Sequence, residues 1–107
     1  MMPVLDMREE HVSILRDVLR KLLPKDARVY VFGSRVCGGA RRYSDLDLAL
    51  DWVRPLGLDV VGEIAEALSE SDIPYKVDVV DLATVTPEFR ARIAGTWLSF
   101  EIADRGG

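Results

Sequence analysis

The stretch Phe32-Gly33-Ser34-Arg35-Val36-Cys37-Gly38-Gly39-Ala40-Arg41-Arg42-Tyr43-Ser44-Asp45-Leu46-Asp47-Leu48 holds two features that constrain the rest of the chain. First, a Gly33-Ser34 turn leaves the apolar run Arg28–Phe32 abruptly. Glycine admits backbone conformations closed to other residues, and it lets a phosphate approach the main chain. A helix starting just after such a turn would offer free N–H groups and a positive dipole end. Ser34 adds a hydroxyl donor. Second, Asp45-Leu46-Asp47 opens a second apolar run, Leu46 to Trp52. Residues two apart in a strand share a face. The two carboxylates therefore project together, which is unfavourable without a cation beside them. Magnesium takes oxygen ligands of this kind and keeps positions open for water and phosphate; for such a pair taken alone, a solvated face on an edge strand is the plainer reading.

Outward from this stretch, helix and strand alternate. Apolar residues recur at helical spacing from Asp6 to Leu23, with Met7, Ile14, Leu15, Val18, Leu19, Leu22 and Leu23 on one face. Asp6, Glu9 and Glu10 crowd the first turn, and Arg20 and Lys21 lie near the end, as the helix dipole favours. Pro24 stops the helix. Arg28–Phe32 is the first strand, residues 35–44 a short helical turn and a loop, and Leu46–Trp52 the second strand. Leu58–Ser71 is a second amphipathic helix with Val61, Ile64, Ala65 and Leu68 inward. Lys76–Leu82 is the third strand. Thr86 caps a last helix, with Pro87 in its first turn, running to Ile93 or Ala94. The tail Trp97–Ile102 is apolar enough to pack on the body or on a partner. The alternation predicts an α/β (α+β) fold, a small mixed β-sheet with helices packed against it, in a single domain over 1–107.

Asp78 is a third carboxylate, in the middle of the third apolar strand. Aspartate is disfavoured there, and a buried, unpaired carboxylate is expensive. If this strand lies beside the second, Asp45, Asp47 and Asp78 converge, as a two-metal phosphoryl-transfer site requires. The plainer alternative is that Asp78 pairs with Lys76 or an arginine, or faces water. Asp81 competes for the role, but three residues on it faces the other side of the strand.

Composition narrows the function classes. A net charge of -4 argues against an extended nucleic-acid footprint, although Arg35, Arg41 and Arg42 form a local basic cluster. One cysteine, Cys37, and one histidine, His11, exclude a disulfide framework and a Cys/His metal site. Cys37 reads as an incidental small residue, His11 as surface, and Trp52, Trp97 and Phe100 as core or interface. Tyr43 reads as loop packing. No apolar run approaches the ~18 residues of a membrane span, and no signal peptide is apparent. A cytoplasmic protein is expected.

The spacing of Gly33-Ser34, ten residues, then Asp45-x-Asp47, followed by Val77-Asp78-Val79, resembles the signature of the DNA polymerase β-like nucleotidyltransferases. The pattern, with Gly38 and Ser44, is most similar to the minimal nucleotidyltransferases, often antitoxins paired with a HEPN-domain ribonuclease toxin. The resemblance implies that Gly33 and Ser34 hold the triphosphate of ATP. It implies that Asp45, Asp47 and Asp78 are catalytic and bind two Mg2+ ions, Asp78 also acting as base. Arg35 is a further candidate for nucleotide binding. The implied activity is transfer of AMP from ATP to a hydroxyl, on a tyrosine of the HEPN toxin. Two alternatives stand beside it. One is a contact-only antitoxin with a non-catalytic nucleotide site; the other is a small-molecule nucleotidyltransferase, whose pocket a homo-oligomer would complete.

Overall fold

In the computed structural model, residues 5–37 and 44–102 are described, Cys37 through its backbone alone. The expectations for Gly38, Arg41, Arg42, Tyr43 and the Cys37 thiol lie outside the described residues. The elements are α1 (Glu9–Leu22), β1 (Arg28–Phe32), α2 (Ser34–Cys37), β2 (Leu46–Asp51), α3 (Leu58–Ser69), β3 (Val77–Asp81), a 3-10 turn (Leu82–Thr84), α4 (Pro87–Ala94) and β4 (Leu98–Phe100). The strands form one mixed sheet in the order β3-β2-β1-β4. β1 runs antiparallel to both β2 and β4, and β2 runs parallel to β3. The parallel pair is connected by α3, as parallel strands need a crossover.

Alternation along the strands divides the sheet into two faces. Val29 and Val31 of β1 and Leu46, Leu48 and Leu50 of β2 pack with Leu15 and Leu19 of α1 and Ile64 and Leu68 of α3. The opposite face carries Tyr30, Phe32, Ala49 and Val80, packed with Phe89 and Ile93 of α4 and with Trp97. Trp97 stacks on Tyr30 at 3.9 Å between ring centroids, and Phe89 meets Phe32 edge-on at 6.0 Å. The Thr86 hydroxyl caps α4 by accepting from Phe89 N–H at 3.1 Å, and Pro87 occupies its first turn.

Two details differ from the sequence reading, the start of α1 and the burial of His11, and one of its alternatives is decided. Helix α1 starts at Glu9 because Arg8 is extended, and Asp6 upstream donates its N–H to the Arg35 carbonyl at 2.7 Å. Of the two places offered for the Trp97–Ile102 tail, it takes the body. Its Leu98–Phe100 segment is the edge strand β4, and Phe100 and Ile102 are buried. Arg16 and Arg20 of α1 hold the tail by donating to the carbonyls of Glu101 and Ile102 at 3.1 and 3.0 Å. His11 is half-buried, with Nδ1 3.4 Å from the Tyr75 hydroxyl. No helix among the described residues is long and apolar enough to cross a membrane.

Leu48 is fully buried at the centre of the sheet, whereas Leu58 is 90% exposed. Leu48→Ala is expected to lower unfolding free energy by about 2–5 kcal/mol. Leu58→Ala should change it by less than ~0.5 kcal/mol. Urea titration of both variants checks the assignment.

Candidate active site

The strand order brings the motif residues to one end of the sheet. β2 is central, and Asp47 is its second residue. Across the antiparallel pair Asp47 lies opposite Phe32, the last residue of β1; across the parallel pair it lies opposite Asp78, the second residue of β3. Asp47 and Asp78 therefore project from the α4-side face as neighbours, and Asp45 sits exposed just before β2 begins. The condition placed on Asp78 by the sequence, that β3 adjoin β2, is met. The ladder is anchored at this end by Leu46 N–H donating to the Lys76 carbonyl at 2.9 Å.

Gly33 is fixed by two requirements. Its φ is +85°, in the region that favours glycine. A Cβ at this position would also run into the Asp47 carboxylate. The turn leaving β1 thus lies directly against the central carboxylate of β2. Ser34 opens the single-turn helix α2, and Val36 N–H donates back to the Gly33 carbonyl at 3.1 Å.

The electrostatics follow from this crowding. Partial burial pushes the Asp47 carboxyl above its ordinary pKa, and the charges of Asp78 and then Asp45 push it the same way. Asp78 Oδ1 lies 3.3 Å from Lys76 Nζ, so the pairing weighed as the plainer alternative also occurs. Both side chains are well exposed, and such pairs contribute only about 0–1 kcal/mol. Among the described residues, no group of three or more His, Cys, Asp or Glu side chains is gathered in metal-holding geometry. The backbone register places hard oxygen donors of the type magnesium takes on one face. The Asp78 carboxylate is turned to Lys76.

Asp81 serves a different purpose. It is buried, accepting from Leu56 N–H at 2.8 Å and from Ala83 N–H at 3.0 Å. It ties the segment before α3 to the end of β3, on the face opposite Asp78. Arg35 departs from the picture of a loop arginine. It is only 5% exposed, its Nε donates to the Ser44 carbonyl at 3.0 Å, and one Nη donates to the Asp6 carbonyl at 2.9 Å. Its guanidinium lies over the Tyr75 ring, 3.7 Å from the centroid. Sequence reasoning missed Tyr75, because its neighbours Pro74 and Lys76 read as the approach to a strand and carry no signal of a stacked cation.

Two expectations follow. Because the folded pKa of Asp47 is raised, the folded state holds that proton more tightly than the unfolded chain does. Stability from this group therefore falls as pH rises from the ordinary carboxylate pKa through the raised one. Asp47→Asn should melt higher than the unmodified protein at neutral pH without nucleotide, and the advantage should vanish below the ordinary carboxylate range. Gly33→Ala should destabilise by about 1–3 kcal/mol, the usual penalty for a side chain held at positive φ. Calorimetric melts across pH and urea titration measure the two effects.

Residues 15–98 match the family described as polymerase beta, nucleotidyltransferase. The Haemophilus influenzae protein named probable protein adenylyltransferase MntA is 45% identical over 86 residues, spanning 80% of this chain and 75% of its own. A crystal structure of a toxin–antitoxin with AMP-PNP superposes with a TM-score of 0.73 at 25% identity, over 89% of this chain and 75% of that one. The fold is also that of a structure of a tri-AMPylated Shewanella oneidensis HEPN toxin in complex with its MNT antitoxin, with a TM-score of 0.69 at 23% identity, covering 94% and 76% of the two chains. With a family match over most of its length and a relative this similar, the chain belongs to the polymerase beta nucleotidyltransferase family.

Proposed function

We propose that this protein is an antitoxin that transfers AMP from ATP to a hydroxyl of a HEPN-domain toxin, the phenol of a tyrosine. The observation that carries the reading is the register of Asp47 against Asp78 beside the Gly33 turn. The 45% identical relative named as a protein adenylyltransferase supports AMP as the transferred group.

In this reading Gly33 and Ser34 receive the triphosphate through main-chain N–H groups and the Ser34 hydroxyl. Asp45, Asp47 and Asp78 hold Mg2+, two ions in the full site. When bound, the metal neutralises the carboxylates and the charge that develops on the phosphate oxygens. The acceptor oxygen forms a bond to the α-phosphorus, the bond from that phosphorus to the bridging oxygen breaks, and pyrophosphate leaves. Asp78, at the margin of the group and open to solvent, is placed to accept the acceptor's proton. Little covalent work falls to the protein, so positioning and charge stabilisation dominate.

The test mixes the protein, its cognate HEPN toxin, ATP and magnesium, and reads the toxin's mass. The toxin should gain the mass of AMP. Chelation with EDTA should stop the reaction, and added magnesium should restore it. The Asp45→Asn/Asp47→Asn variant should fold but leave the toxin unmodified and active. A variant that still silences the toxin without modifying it would establish a contact-only antitoxin instead.

A further inference from the structure

We infer that Arg35 is a positioning residue that fixes the spacing between the Gly33-Ser34 turn and the Ser44-Asp45 entry to β2, with the Tyr75 ring as the platform it works from. The inference rests on the nucleotidyltransferase reading above and assigns residues to its geometry. Burying a guanidinium is expensive unless its N–H groups are engaged. Arg35 is buried, and the partners it engages lie on three separate parts of the site. Its own backbone is in α2, immediately after Ser34. Its Nε holds the carbonyl of Ser44, the residue before Asp45, at 3.0 Å. Its ring contact is Tyr75, three residues before Asp78. One side chain therefore spans the phosphate turn, the first metal carboxylate and the approach to β3.

The fork is itself braced from behind. Arg35 and Asp6 exchange two hydrogen bonds, Asp6 N–H to the Arg35 carbonyl at 2.7 Å and Arg35 Nη to the Asp6 carbonyl at 2.9 Å. This holds both the backbone and the side chain of Arg35 against the segment leading into α1. Tyr75 is buried, and the edge of the His11 ring meets it at 5.6 Å between centroids. A guanidinium is planar, donates along fixed directions and stacks on aromatic faces; an ammonium does none of these together. Direct contact with phosphate, the role suggested for Arg35 by its place in the motif, is opposed by its enclosure, since the residue is only 5% exposed.

The test compares Arg35→Lys, Tyr75→Leu and Tyr75→Phe for AMP transfer to the toxin and for backbone amide NMR signals of Ser34, Ser44 and Asp45. Arg35→Lys should lower kcat roughly ten- to a hundredfold, the usual effect of misplacing reacting groups, with KM for ATP within about threefold. Tyr75→Leu should lower kcat in the same way, and Tyr75→Phe, which keeps the ring, should restore most of it. The Ser44 and Asp45 amides should shift in Arg35→Lys and Tyr75→Leu. A raised KM with unchanged kcat in Arg35→Lys would overturn the inference in favour of phosphate contact. A lower melting temperature with kcat unchanged would reduce Arg35 to a purely structural residue. Unmoved Ser44 and Asp45 signals would also overturn it, whatever the activity. If the unsubstituted protein transfers no AMP while those amides shift as expected, the positioning role stands and the transfer reading falls.

Discussion

Repulsion among carboxylates at one end of the sheet is the interaction around which the molecule is arranged. Asp47 occupies the central strand and feels burial, Asp78 and Asp45 together. Each influence disfavours its charge, and a fold selected for stability alone would place an apolar residue there, as it does at Leu46, Leu48 and Leu50. The unfavourable charge is concentrated where a cation would relieve it. Under the proposed function, a divalent ion held by these carboxylates would supply the counter-charge that they lack, and the site would gain affinity from the same repulsion that weakens the fold.

Topology supplies the arrangement. Because β2 lies between β1 and β3, the end of one neighbour and the start of the other flank its first residues. The antiparallel partner delivers the Gly33 turn, and the parallel partner delivers Asp78. Neither pairing alone would build the site. Helix α4 covers the remainder of that face with Phe89 and Ile93, and Trp97 stacks on Tyr30. The carboxylates thus stand at the border between an apolar surface and solvent, where charge is less screened than in open water yet still accessible to a ligand.

Much of this was legible in the sequence because it depends on local pattern. Helical spacing marked α1 and α3, the Thr86-Pro87 pair marked α4, and alternation placed Asp47 and Asp78 on a face. The Gly33 requirement was legible only as a turn; that Asp47 needs the missing Cβ emerges from strand pairing. β4 was hidden because Leu98–Phe100 is three residues long, too short for alternation to register, and its strand character comes from pairing with β1. Arg35 and Tyr75 were hidden for a related reason. They lie 40 positions apart in sequence, and nothing near either announces a stacked cation.

Asp78 and Asp81, three positions apart on one strand, meet opposite surroundings. Asp81 has its carboxylate oxygens engaged by Leu56 and Ala83 N–H groups. Its charge is satisfied by main chain, and it joins two segments that would otherwise end separately. Asp78 has the half-exposed side of the strand, a lysine that exchanges freely with water, and a like charge across the ladder. Burial and hydrogen bonding make the first a tie; exposure and repulsion leave the second available to a ligand. The same logic distinguishes the arginines. Arg16 and Arg20 hold the tail from the surface of α1, whereas Arg35 is enclosed and reaches the main chain on either side of the Gly33-Ser34 turn. A buried, multiply bonded cation is hard to move, which suits it to setting a distance. Asp45 is exposed, and the Asp78 side chain is 42% exposed, so both stand outside that enclosure. A fixed frame beside open carboxylates is the arrangement that the proposed transfer by positioning would need.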